Sequence, residues 1–391
     1  MRRIRVRLGG GANYGIEIGG GALGLLGAVA RASAGVSARR VAIISDENVF
    51  RIYGAPARAS LRGEGFEVAH WVTRPGERSK TLRNAERALE FLAASGLERT
   101  DAVVALGGGV VGDLAGLAAA LYLRGVPFVQ APTTLLAQID SSVGGKTGVN
   151  ARAGKNLFGA FHQPAAVVVD TDTLRTLPRR ELTAGWCEAI KQGAVGDRRL
   201  FERTRDFLAA HTRRGAIIPP GESAGAGAGA GSGGAARLAE LIAAQCRFKA
   251  SVVAGDERES VARTDARSRR VLNFGHTVGH ALEAVTRYRR FRHGEAVGRG
   301  MIVAGEISKR LGLLPASELE SLRAAVALAG PLPRADDLDP EALLRATVAD
   351  KKSAGGEVRW VLLEGIGRAR IVGGREIPRP LLRAALRDGL A

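Results

Sequence analysis

Apolar and polar positions alternate near the N-terminus. Ile4, Val6 and Leu8 are interleaved with arginines, and Tyr14, Ile16 and Ile18 alternate again beyond the Gly-rich stretch Gly9–Gly11. A period of two predicts the paired strands of a hairpin rather than a signal peptide, even though Arg2 and Arg3 precede the apolar run Leu23–Ala30. Strand-like apolar runs follow at Arg40–Ile44, Phe66–Val72, Ala102–Leu106, Val126–Ala131 and Ala166–Val169. Helical spacing, as in Leu82–Ser95, separates several of them. Strands alternating with helices predict a parallel sheet with helices on its faces. Ligands of such sheets sit beyond the carboxyl ends of the strands. The polar strand ends Ser45–Asn48, Thr73–Lys80, Gly107–Asp113, Pro132–Thr134 and Asp170 therefore form the candidate binding edge.

From about Leu182 helical periodicity takes over, at Leu238–Val253, Val271–Val285, Glu295–Leu311 and Pro340–Asp350. The expected organisation is an α/β domain over residues 1–180 and an all-α C-terminal domain over 181–391, with the boundary near Leu177-Pro178-Arg179. The tract Gly221–Gly234 is almost all Gly, Ala and Ser, cannot bury a core, and is expected to be a flexible surface loop.

Composition narrows the class. A chain of 391 residues makes two domains or one large one. Its 46% hydrophobic and 25% charged content is that of a folded protein. No apolar run reaches the ~20 residues of a membrane span, Leu114–Leu123 being too short, so no membrane partner is expected. Two cysteines, Cys187 and Cys246, exclude a disulfide scaffold and suit a reducing cytosol. The net charge of +18 suggests a polyanion. Only eight of the 57 basic residues are lysines, however, and the arginines are scattered, which reads as a compositional bias. No zinc-finger, RRM or helix-turn-helix signature appears, so nucleic acid is not an expected partner. The lysines become the informative cations, because Lys is a compact point charge with a tunable pKa.

Several motifs carry chemistry. Gly107–Asp113 fits G-x-G-x-x-G between a strand and the apolar Leu114–Leu123, a pattern that brings backbone N–H groups to a pyrophosphate; a tight packing turn would give the same spacing. The acidic residue usual at the end of the next strand is missing, and Asp46 is the better candidate for a ribose contact. Gly144-Gly145-Lys146-Thr147 imitates a Walker A ending, but Asp140 stands where that motif needs glycine, which argues against a P-loop NTPase. Glu188 and Lys191 share a helix face at i, i+3, a spacing that also suits an ordinary surface ion pair. His276 and His280 share a face at i, i+4, and His293 follows, placing three of the six histidines within eighteen residues. Two histidines with a carboxylate and an open position make a catalytic zinc arrangement; a packed or capping cluster is the alternative.

Taken in order, LGGGVVGD (Leu106–Asp113), PTTLLAQIDSSVGGKTGVN (Pro132–Asn150), GKNLFGAFHQP (Gly154–Pro164), Glu188–Gly193, LNFGHTVGHALE (Leu272–Glu283), HGE (His293–Glu295) and Asp350-Lys351-Lys352 resemble the 3-dehydroquinate synthase family over roughly Val41 to Gly367. The resemblance implies a Rossmann-like NAD domain followed by a helical metal- and substrate-binding domain, usually in a cytoplasmic homodimer. It implies a phosphate-eliminating lyase of the shikimate pathway to chorismate and the aromatic amino acids. Its substrate would be 3-deoxy-D-arabino-heptulosonate 7-phosphate. The steps would be transient oxidation by NAD, phosphate elimination, re-reduction, ring opening and aldol closure to 3-dehydroquinate.

Carried over by position, the ligands of one divalent metal, Zn or Co, would be Glu188, His276 and His293, with His280 as a proton relay. Lys191, Lys249, Arg269, Asn273 and one of Lys351 and Lys352 would contact substrate, and Arg124, Lys146 and Asn156 its phosphate. NAD contacts would come from Asp46, Glu77, Arg78, Ser79, Lys80, Gly109, Val110, Val111, Gly112, Asp113, Thr133, Thr134, Lys146, Lys155, Thr173, Leu174, Arg175 and Thr176. Where the family usually has Asp-Gly-Glu this chain has Pro75-Gly76-Glu77, and the segment between Lys249 and Asn273 is longer than usual. The same resemblance extends to other sugar phosphate cyclases and, in site layout, to iron-type polyol dehydrogenases; the run Ser141–Lys146 favours dehydroquinate synthase.

Overall fold

Val41 and Ile43 point to one side of their strand and Ala42 and Ile44 to the other, and each side meets a separate apolar layer. That two-sided burial is what a central parallel strand requires. The computed structural model describes residues 1–391 apart from 10–12, 153, 214–215, 218–228, 261–262, 264, 266–267 and 350–357. The chain divides into two compact units, Met1–Leu177 with Ala224–Ala250, and Pro178–Ser223 with Ser251–Ala391.

The first unit is built on nine strands: β1 (Arg2–Arg7), β2 (Asn13–Gly19), β3 (Arg40–Asp46), β4 (Glu67–Thr73), β5 (Ala102–Gly107), β6 (Phe128–Pro132), β7 (Lys146–Ala151), β8 (Gly154–Phe161) and β9 (Ala166–Asp170). Seven form one sheet in the order β1-β2-β9-β6-β5-β3-β4. β1 and β2 pair antiparallel, with Ile4 opposite Ile16 and Val6 opposite Tyr14, and every other pairing is parallel. The expected hairpin and all five expected strands are therefore present; residues 10–12 of its Gly-rich turn lie outside the described residues. β1 is an edge, and its outward residues Arg2, Arg3, Arg5 and Arg7 are exposed.

One face of the sheet is covered by α1 (Leu26–Ala34) and α2 (Glu47–Gly63), through Leu26, Ala30, Ala57 and Leu61. The other is covered by α3 (Leu82–Ala94) and α4 (Gly109–Leu121), through Ala88, Leu92, Val111 and Ala115. The chain leaves β3 for β4 on one side and returns to β5 on the other. This reversal opens the crevice at the carboxyl ends of β3 and β5 where ligands bind in doubly wound folds. β7 and β8 form a separate antiparallel hairpin that the sequence pattern did not reveal, because Gly148 and Gly159 interrupt the alternation.

The second unit is mostly helical: α5 (Arg179–Gly196), α6 (Arg198–His211), α8 (His276–Val285), α9 (His293–Arg310), α10 (Ala316–Ala329), α11 (Pro340–Ala349) and α12 (Arg379–Leu390). α7 (Gly229–Gly255) precedes α8 in the chain and contributes its residues through Ala250 to the first unit. The unit also carries a hairpin of Arg359–Gly365 and Arg368–Gly373 and a short strand pair, Thr212–Arg213 with Ala216–Ile217, so its helical core is not free of strands.

Three sequence expectations change. Residues 224–250 leave the 181–391 segment for the first unit, because α7 buries Leu241, Ile242 and Cys246 there, and Cys246 Sγ donates to the Gln138 carbonyl at 3.2 Å. Residues 229–234 of the expected Gly/Ala loop are the first turns of α7, even though four of the six are glycines of low helix propensity, so the helix they join and not their own composition sets their conformation; residues 221–228 lie outside the described residues. The helix expected over Val271–Val285 is broken, because Gly275 takes a left-handed φ of 79°. A 3-10 turn, Arg269–Asn273, precedes that break and α8 follows it.

Asp170 closes the end of β9. Its carboxylate accepts from Gly21 N at 3.0 Å, Leu23 N at 2.9 Å and Asp172 N at 2.9 Å. Asp170→Ala leaves these amides unpaired and is expected to cost about 3 kcal/mol, read as a lower thermal midpoint.

Candidate active site

The carboxyl edge of the sheet holds the expected nucleotide residues. Asp46 ends β3 and caps α2, accepting from Asn48 N at 3.0 Å and Val49 N at 3.1 Å. Gly108 caps α4 with no side-chain hydrogen bond, so the amides of its first turn, at Gly109, Val110 and Val111, are left to another acceptor. A Cβ on Gly109 would come within 3.0 Å of Ser141 Oγ, and one on Gly108 within 2.9 Å of Thr134 Cγ2. Only bare backbone fits there. Thr133 Oγ1, buried beyond β6, has no hydrogen-bond partner among the described residues. An uncapped helix end with bare glycines and a spare hydroxyl fits a dinucleotide phosphate.

Beside it, Lys80 and Asp113 form an ion pair, and Lys80 Nζ also donates to Asn156 Oδ1. Burial pushes the Asp113 carboxyl above its usual range, against the pull of Lys80. Asn150 ties the group together: its Nδ2 donates to Glu77 Oε1 at 2.7 Å, and its Oδ1 accepts from Asn156 N at 3.0 Å. Sequence reasoning did not single out Asn150; only its place in a quoted motif pointed to it. Ser79 is buried and Arg78 exposed on the same loop. Gly112 and Asp113 continue α4. Thr173, Leu174, Arg175 and Thr176 lie on the 3-10 turn after β9, where Thr173 Oγ1 donates to the Asp170 carbonyl and Thr176 Oγ1 meets the Tyr53 hydroxyl at 2.7 Å.

The cations expected for substrate phosphate lie on this unit too. Lys146 and Arg124 are exposed, and Lys155 is half-buried on β8. Arg124 (φ 68°) and Asn156 (φ 55°) hold left-handed backbone that non-glycine residues seldom adopt, a strain that collects at functional sites. Lys249, on α7, is ion-paired with Asp140, which sits in a π-helical turn Ala137–Ser141; in the sequence Asp140 stands out only as the residue that breaks the P-loop pattern.

The second unit holds the side chains expected to ligate a metal. α5 is buried from Leu182 to Val195, and on it Glu188 and Lys191 are each 1% exposed and ion-paired. The surface ion pair suggested by the spacing is thus a buried one. His276 opens α8 and His293 opens α9. Their Nε2 atoms lie 3.8 and 3.7 Å from Glu188 Oε1, too long for hydrogen bonds and suited to sharing a cation. One donor atom from each residue lies within 4.8 Å of the others. Burial first, then Lys191, His293 and His280, hold the His276 pKa well below its usual value, so its ring is neutral and offers a lone pair. One carboxylate and two imidazoles with room for further ligands fit a catalytic divalent ion.

His280 lies one turn along α8 from His276, with ring centroids 5.5 Å apart. Asn273 is exposed at the end of its 3-10 turn. Arg269 is buried, its Nη1 donating to the Glu257 carbonyl at 2.9 Å. Lys351 and Lys352 lie outside the described residues. Two acidic residues that the sequence left without a role support the cluster. Glu283 accepts from His293 Nδ1, and Glu295, fully buried, accepts from Arg180 Nε at 2.7 Å, Arg180 Nη2 at 2.6 Å and Arg292 N at 2.7 Å.

The chain is similar to known proteins over most of its length. The family model described as "3-dehydroquinate synthase N-terminal" matches residues 70–184, and "3-dehydroquinate synthase C-terminal" matches 185–353. A curated 3-dehydroquinate synthase of Rhodospirillum rubrum is 44% identical over 389 residues, covering 98% of this chain and 94% of that protein. Among solved structures, 2-deoxy-scyllo-inosose synthase, complexed with carbaglucose-6-phosphate, NAD+ and Co2+, is 26% identical with a TM-score of 0.81 and full coverage of both chains (100% and 100%). The 2-epi-5-epi-valiolone synthase of Streptomyces hygroscopicus, with NAD+ and Zn2+ bound, is 28% identical with a TM-score of 0.80, covering 97% of each chain.

Gly294 explains why glycine follows His293. A Cβ there would lie 2.0 Å from the Ala184 carbonyl oxygen on α5, the helix that presents Glu188 one turn later. Gly294→Ala must push α9 off α5. It is expected to cost about 3 kcal/mol of stability in thermal unfolding and to weaken divalent-cation binding measured by titration.

Proposed function

The chain belongs to the 3-dehydroquinate synthase family, and from that premise we propose which of its residues perform the reaction. It converts 3-deoxy-D-arabino-heptulosonate 7-phosphate to 3-dehydroquinate and phosphate, with NAD and one divalent metal ion, in the shikimate pathway to aromatic amino acids. The observation that carries the assignment of roles is the convergence of Glu188, His276 and His293 on one point within a single unit.

Glu188, His276 and His293 hold the metal. The N-terminal turn of α4, with Asp46, Glu77 to Lys80, Asp113, Thr133, Thr134, Lys155 and Thr173 to Thr176, holds NAD. When bound, the two cofactors supply a transient oxidation of the substrate and the acidification of its hydroxyls, from which phosphate elimination follows. Lys191 neutralises Glu188 and donates to substrate oxygen. Arg124, Lys146 and Asn156 bind the phosphate, while Lys249, Arg269 and Asn273 orient the rest of the substrate, with Lys351 closing the set. An anionic substrate rewards several fixed cations, because each acts where water is excluded. His280, on the metal face of α8, relays the proton of the oxidised hydroxyl.

Zinc and cobalt both suit the donor set; metal analysis of the purified chain distinguishes them. Two free, buried cysteines favour a reducing compartment, and we place the enzyme in the cytoplasm. No helix among the described residues is long and apolar enough to cross a membrane. We further propose a homodimer. Leu121, Leu157, Phe158 and Phe161, on α4 and the adjoining β8, stay between 45% and 53% exposed, an apolar group that a second copy would cover.

Three outcomes check this. Phosphate release from the heptulosonate phosphate should require both NAD and metal, each omitted in turn. Glu188→Ala and His276→Ala should lose metal-dependent turnover while keeping NAD binding by fluorescence titration; full activity of either after chelation removes the ligand assignment. Phe158→Ser with Phe161→Ser should convert a dimer to a monomer in light scattering.

A further inference from the structure

His293 has two nitrogens facing different partners. Nε2 faces Glu188 Oε1 at 3.7 Å, and Nδ1 lies 3.3 Å from Glu283 Oε2. The cluster can therefore be read as two overlapping sets of possible ligands, Glu188 with His276 and His293, and His280 with Glu283 and His293. The two sets compete for one ring.

The environment of Glu283 separates them. Its side chain is buried at 3% exposure, and a carboxylate there needs a donor. An ionised carboxylate can only accept, so the proton of a neutral His293 ring sits on Nδ1, leaving the lone pair on Nε2. His276 shows the same division of labour: its Nδ1 lies 3.2 Å from the Phe274 carbonyl oxygen and its Nε2 faces Glu188. Both rings are thus oriented from behind, one by main chain and one by a side chain, and both present Nε2 to the same carboxylate.

The backbone holds Glu283 in this position. It lies one turn beyond His280 on α8, on the face that carries His276. The end of α8 is fixed by Tyr288 N, which donates to the Glu283 carbonyl at 2.7 Å. α8 and α9 approach so closely that a Cβ on Gly300 would lie 2.0 Å from the Gly275 carbonyl oxygen.

We propose that Glu283 is a positioning residue for the metal site: it holds the Nδ1 proton of His293, fixes the ring and raises the basicity of Nε2, and is not itself a ligand. The proposal rests on the reading of Glu188, His276 and His293 as the ligands. The test is a Co2+ titration of the metal-free protein, followed by the visible absorption of the bound ion and by chelator competition. The Co2+ dissociation constant is expected to rise about tenfold in Glu283→Gln, which keeps an acceptor oxygen and the side-chain volume, and toward a hundredfold in Glu283→Ala. His276→Ala, which touches only the first set, is expected to lose Co2+ altogether. Parent-like affinity in Glu283→Gln, with His276→Ala inactive in binding, overturns the positioning role alone. Parent-like affinity in His276→Ala moves the ion to the second set and overturns the ligand reading with it.

Discussion

A carboxylate taken out of water must be neutralised where it sits, and the second unit is organised around that requirement. Glu188 is 1% exposed in the middle of a helix buried on all sides. Charge of that kind costs several kcal/mol to bury unless partners surround it, and removing one partner costs about 3–5 kcal/mol. Lys191, one turn along α5, is the permanent partner. The remaining approach to Glu188 is lined by two imidazole nitrogens, one of them on a ring that burial keeps neutral. A lone Glu–Lys pair would serve stability alone; two imidazole nitrogens too distant to hydrogen-bond give the same buried charge the geometry of a candidate cation site. Glu295 repeats the logic on α9, where Arg180 and the Arg292 amide meet a fully buried carboxylate and fix the helix end that presents His293.

The first unit works by the opposite means, leaving donors unmet. Its sheet reverses strand order at β3 and β5, and the helix that follows β5 begins without a side-chain cap. Backbone amides that elsewhere would be satisfied by Ser or Asp remain available, and the glycines beside them keep side chains out of the way. The Glu77–Asn150–Asn156–Lys80–Asp113 chain of contacts then fixes the loops around that helix end through side chains drawn from four separate segments.

Much of this was legible in the sequence, and the exceptions have physical causes. The central strands β3, β5, β6 and β9 were visible because they are buried on both faces and read as unbroken apolar runs, and β1 and β2 because they alternate. The β7–β8 hairpin was not, because three glycines and two lysines dilute its alternation. The candidate ligands His276 and His293 stood out as rare residue types close together in sequence, but the burial of Glu188 did not: Glu188 and Lys191 at i, i+3 look the same on a wet surface and in a core. Glu283, Asn150 and Glu295 act only through another residue that is distant in sequence, so no local spacing announces them. Gly275 was present in the quoted motif, yet its left-handed backbone, which splits one expected helix into a turn and α8, follows from packing rather than from propensity.

The arginines that first suggested a polyanion have a different consequence at the N-terminus. β1 is an edge strand, and an edge with unpaired amides and carbonyls is a template for another strand. Four exposed arginines on a six-residue strand put like charges on any copy that tries to extend the sheet there. That charge disfavours extension of the sheet at this edge by another strand, without a covering element.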